Sequence, residues 1–135
     1  MNRKALLGDP PPIRITPQDL GRLDTLLANL SRPTPVVEFL QREVDRAAVA
    51  DRNDGQDAPF VRLGSRVTFA DDLGSQHTAT LITPEEAVRR QDGISILTPV
   101  GAALLGLSQG QAISYQTLDG RTKSVRIVEI HATSS

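Results

Sequence analysis

The stretch ISILTPVGAALLGLSQGQAI, residues 94–113, has strand chemistry at its two ends and helix chemistry between them. Ile94 to Leu97 reads as a strand. Thr98 then offers a hydroxyl to cap a helix, and Pro99 fits the first helical position, where a missing N–H costs nothing. Ala102, Ala103, Leu104 and Leu105 favour helix, and Gly106 suits the left-handed stop. After Gly110, Ile113-Ser114-Tyr115 reads as strand again. A strand that turns a tight corner into one short helix and returns to strand points to an α+β class, a small sheet built with that helix.

Further hairpins lie on both sides of this corner. Asp119-Gly120 sits between Ile113-Ser114-Tyr115 and Val125-Arg126-Ile127 and is the strongest local hairpin signal in the chain. Upstream, Arg66-Val67-Thr68-Phe69 alternates into a turn at residues 71–75, and His77 to Ile82 continues after it. Thr83-Pro84-Glu85-Glu86 has the form of a capping box for a turn too short to be a full helix. The expected unit is an antiparallel sheet with one short helix, over residues 61–132.

Before residue 50 the periodicity is helical. Thr16 caps, Pro17 follows, and Leu20, Leu23, Leu27 and Leu30 form one stripe. Residues 31–35, Ser-Arg-Pro-Thr-Pro, break it. Thr34-Pro35 opens a second helix with Val37, Leu40, Val44 and Ala47 on one side. Two stripes across a short loop predict an antiparallel, coiled-coil-like helical hairpin over 16–52. Such a hairpin is marginal alone and must lean on the rest of the chain or on a partner. Residues 1–15 are expected to be a flexible, Pro-rich lead, and 53–60 a linker within the polar run DRNDGQDAP.

Composition narrows the function. The 135 residues carry a net charge of −1 with no basic block, and only 3% are aromatic, so the footprint of a phosphate-binding surface and stacking platforms for bases are both missing. Direct nucleic-acid binding is not expected. There is no cysteine, which removes disulfides, thiolate chemistry and the common zinc frameworks. No apolar run nears the ~18 residues that suggest a bilayer span. The chain is expected in the cytoplasm, away from membranes.

The residues Pro84-Glu85-Glu86-Ala87, Asp92-Gly93-Ile94-Ser95, Thr98-Pro99-Val100-Gly101 and Ala102-Ala103-Leu104-Leu105-Gly106, followed by Gly110, resemble the C-terminal domain of the Gre transcription factors, and most closely its Rnk branch. The resemblance implies an FKBP-like domain that docks on RNA polymerase at the rim of its secondary channel, with a helical hairpin before it. It also implies that Thr98, Pro99, Val100 and Gly101 belong to the gripping surface, a corner expected to be exposed. Gln111 departs from the Asp usual in cleavage factors.

Cleavage factors of that family carry two acidic residues on the tip of a long hairpin to help hold a second magnesium ion, which needs clustered carboxylate oxygens. Here the tip, Ser31, Arg32, Pro33 and Thr34 with its flanks, has no carboxylate. Asp24 and Glu38 read as solvated charges on the arms. Arms of ~15 residues would reach about 20 Å. No catalytic residue, metal site or cofactor is therefore expected. His77 and His131 read as sheet residues, and Asp71-Asp72 as a turn. The expectation is a monomeric, polymerase-binding regulator that competes with Gre cleavage factors without stimulating cleavage. The alternatives are an FKBP-like prolyl isomerase, disfavoured because Phe60, Phe69 and Tyr115 are few aromatics to line a pocket, and a stand-alone adaptor.

Overall fold

In the computed structural model, residues 11–30, 34–49 and 59–131 are described. Seven strands and four helices lie within them. Helices α1 (Pro17–Ala28) and α2 (Pro35–Arg46) are flanked by two short strands, β1 (Arg14–Ile15) and β2 (Ala48–Val49), which pair in parallel. The main sheet has the order β5-β4-β3-β7-β6. Its strands are β3 (Arg66–Asp71), β4 (Gln76–Ile82), β5 (Gly93–Ser95), β6 (Ala112–Gln116) and β7 (Thr122–His131), with α3 (Pro84–Ala87) before β5 and α4 (Pro99–Leu104) after it.

Both expected hairpins form, β3 with β4 and β6 with β7, and β7 closes the sheet by pairing with β3. Asp71 shapes the first turn: its Oδ1 accepts from the Leu73 and Ser75 N–H groups, each at 2.9 Å. The register slips between Thr68 and Phe69, which face Glu129 and Ile127, so Val128 is an extra residue that bends β7. The sheet is not wholly antiparallel as expected. β5 runs parallel to β4, because the connection through α3 returns the chain to the start of β4's direction rather than reversing it.

Every helix in the described residues opens with Thr-Pro. Thr16, Thr34 and Thr98 each accept a hydrogen bond at 3.1 Å from the backbone N–H three residues on, and Thr83 and Glu86 complete a capping box.

One buried cluster joins the two halves of the chain. Leu23 of α1 and Leu40 and Val44 of α2 lie in it with Val67, Leu81, Ile96, Leu104 and Ile127. Helix α2 packs on α4 as well as touching α1. The helices are thus not a self-contained coiled-coil pair, and the apolar sides of both serve the sheet's core. The buried line on α2 is Val36, Leu40 and Val44, with Val37 only half-buried, a one-residue change of phase that follows from facing α4.

The lead expected to be loose over 1–15 is core at its end. Ile13 and Ile15, on one side of an extended segment, are 2% and 1% exposed. The Arg14 N–H donates to the Gly106 carbonyl and the Ala48 N–H to that of Ile13. Gly106 has φ +81°, and a β-carbon there would meet Arg14 O and Ile13 Cβ at 2.8 Å, so glycine serves both the helix stop and the close approach. The prolines at 10–12 concealed this in the sequence. Of the expected linker, residues 53–58 lie outside the described residues; Phe60 bridges to Ser108, and the Arg14 guanidinium lies 4.7 Å over its ring.

Two buried carboxylates tie the helices down. Asp19 Oδ2 accepts from the Leu63 N–H at 2.9 Å. Glu43, 3% exposed, takes a two-pronged bond from Arg46, at 3.0 and 2.8 Å, and Arg46 also donates to the Pro11 carbonyl.

Candidate functional site

The 98–101 corner is a clasp closed on Ser95. Thr98 donates its N–H and its hydroxyl to the Ser95 carbonyl, at 3.0 and 2.7 Å, while Thr98 Oγ1 accepts from the Gly101 N–H. A β-carbon on Gly101 would fall on the Ser95 carbonyl oxygen, so only glycine lets the first turn of α4 close this tightly. The corner is less exposed than expected. Gly101 is buried, and Thr98, Pro99 and Val100 are half-buried, with Val100 packed against the core. The same packing that holds the corner in shape removes most of it from the surface.

What Pro99 does present is one wall of a cleft of about 430 Å³. The first two turns of α2 supply Pro35, Glu38, Phe39 and Arg42, and β6 with its turn supplies Tyr115, Gln116, Thr117 and Leu118. Leu118 is 80% exposed. The Arg42 guanidinium stands 5.9 Å from the centre of the Phe39 ring. Burial, with the carboxylates of Asp72 and Asp71 adding to it, pushes the Tyr115 phenol above its ordinary 10.0.

Of the tip residues, Ser31, Arg32 and Pro33 lie outside the described residues, and Thr34 is exposed and caps α2. Its neighbour Pro35 lines the same cleft as Pro99, so the start of α2 and the corner border one feature. Sequence reasoning missed Phe39, Arg42 and Leu118. An aromatic outside the Val36-Leu40-Val44 line, with Arg three positions on, was the available signal.

The aromatics weighed for an isomerase pocket do not meet in the cleft. Phe69 is in the core against His77, Phe60 lies under Arg14, and of the three only Tyr115 lines the cleft. His77 and His131 are strand residues, bonded to Asp71 and to Thr68. Gln111, the departure from cleavage factors, closes a local loop by accepting the Ser108 N–H at 2.9 Å. Asp24 and Glu38 are exposed. Among the described residues no three His, Asp or Glu side chains converge, and no helix is long and apolar enough to cross a membrane.

Comparison with known proteins accounts for both halves. The family described as transcription elongation factor, GreA/GreB, C-term matches residues 56–132, more than half of the chain, and the family described as Rnk N-terminus matches residues 11–49. The chain belongs to the GreA/GreB family and has a Rnk-type N-terminus. The regulator of nucleoside diphosphate kinase of Escherichia coli strain K12 is 30% identical over 122 residues, 89% of either chain. The transcription elongation factor GreA of Chloroflexus aggregans is 38% identical over 89 residues, 64% of this chain and 55% of GreA, so this chain matches about half of that relative. A solved GreA/GreB elongation factor from Nitrosomonas europaea superimposes with a TM-score of 0.67 at 37% identity, covering 90% of this chain and 99% of the other. By name these relatives are a regulator and elongation factors, not enzymes.

Proposed function

We propose that this chain binds RNA polymerase at the rim of its secondary channel, competes there with Gre cleavage factors, and does not itself stimulate transcript cleavage. On this reading the unit after residue 60 is the FKBP-like docking domain, and α1 and α2 are a short hairpin held against it.

The observation that carries the reading is how those helices are used. Each has 12 residues, about 18 Å at the helical rise, shorter than the ~15-residue arms expected from the stripes. Leu23, Leu40 and Val44 are committed to the core shared with the sheet. Helices held in this way cannot also project as a long arm, and residues 25–37 contain no carboxylate to deliver. The family's docking domain is retained while its cleaving element is not. The nucleoside diphosphate kinase in the relative's name would then be affected through transcription.

Stalled elongation complexes test this. Excess chain is expected to inhibit cleavage stimulated by a Gre factor, and additional factor to restore it. Inhibition that added factor does not relieve would mean a different binding site, and cleavage stimulated by the chain alone would refute the reading.

A further inference from the structure

Resting on the polymerase-docking reading, we infer that the docking surface is composite: the polymerase segment that meets the 98–101 corner also enters the cleft beside it, placing an apolar side chain against Phe39 and Tyr115 and a carboxylate on Arg42. The family resemblance makes the corner one part of the gripping surface. The geometry adds helix α2.

Three observations support this occupant. First, the corner offers little surface by itself: Gly101 is buried and Val100 packs against the core, which leaves the half-buried Thr98 and Pro99 to be touched. Pro99 and Phe39 line the same cleft of about 430 Å³, so a partner that enters it at Pro99 shares it with Phe39. Second, the lining has the make-up of a protein contact, with two aromatics, an arginine and Leu118 left 80% exposed at the rim. Third, Arg42 is exposed and, among the described residues, forms no ion pair; its one contact of note is the Phe39 ring. A guanidinium held over an aromatic ring is positioned to take a carboxylate. Glu38, one turn away on the same wall, would repel a second carboxylate and so sets the register of the partner.

Titration of purified RNA polymerase with the full chain tests the inference, using Phe39→Ala, Arg42→Glu and Pro99→Asp, with Arg89→Glu as a charge reversal elsewhere. Circular dichroism and thermal melting confirm that each variant is folded. Phe39→Ala and Arg42→Glu are each expected to weaken binding about tenfold or more, Arg42→Glu with a reduced salt dependence, while Arg89→Glu matches the wild type. Loss of binding in Pro99→Asp with wild-type affinity in both α2 variants would overturn the composite surface and leave the docking reading standing. Equal weakening by Arg42→Glu and Arg89→Glu would also overturn it, as a general charge effect. No binding by the wild-type chain would overturn the docking reading itself, and the inference with it.

Discussion

Asp19 does two jobs at one position. Its backbone N–H is capped by Thr16, and its side chain, 5% exposed, receives the Leu63 N–H and so fastens α1 to the segment before β3. Burial raises its carboxyl above 3.8, against the lowering effects of the Leu63 bond and of Arg22 and Arg62. The folded state therefore holds this proton more tightly than the unfolded chain. Its contribution to stability is complete below 3.8 and is lost as pH rises through the raised folded value. Asp71 and Asp92, lowered chiefly by their side-chain bonds to His77 and Arg90, act in the opposite sense, with stability present above 3.8 and lost as pH falls through their folded values. Subtracting the urea unfolding free energy of Asp19→Asn from that of the wild type isolates the one group. That difference is expected to fall as pH rises from 3.8, because Asn keeps an acceptor for Leu63 and has no charge to desolvate. Asp19→Ala strands the Leu63 N–H and is expected to cost about 1–3 kcal/mol at neutral pH. A wild-type-minus-Asn difference that does not change with pH would show that burial does not govern this carboxyl.

Helix α2 connects local chemistry to function at the scale of an element. Thr34 and Pro35 start it, Val36, Leu40 and Val44 seat it on α4 and the core, and Phe39 and Arg42 are left for the cleft. The 3.6-residue repeat fans these roles around the helix: 40 and 44 face the core, 42 turns away from them, and 39 lies between 42 and Val36, which borders both core and cleft. Its length bears on the proposed lack of cleavage. Ser31→Asp with Arg32→Glu supplies carboxylates at the tip and spares the Thr34 cap, yet leaves about 18 Å of helix. No stimulated cleavage is expected from this variant in stalled complexes, whatever magnesium is supplied. Cleavage by the tip variant would show that reach is not what limits this chain.

At the scale of the whole molecule, a single buried cluster that draws on Ile13, Leu23, Leu40, Leu104 and Ile127 implies one cooperative unit. Leu40 is fully buried, and Leu40→Ala is expected to cost about 2–5 kcal/mol. Helical and sheet-sensitive probes should lose stability together, in one transition. A variant whose helical signal melts early while the sheet persists would mean that the core is divisible. Much of this molecule was written locally. The four Thr-Pro helix starts, the Asp119-Gly120 turn and the α+β class could be read from the sequence because caps, prolines and turn glycines act within a few residues of themselves. The missing carboxylates at 25–37 were legible for the same reason. Long-range pairing decided the rest. The parallel placement of β5, the insertion of Ile13 and Ile15, the phase of α2 and the burial of Gly101 each depend on which distant surface an element meets. So does the cleft, whose walls come from residues as far apart as Pro35 and Leu118, since a cavity exists only between elements that folding has brought together.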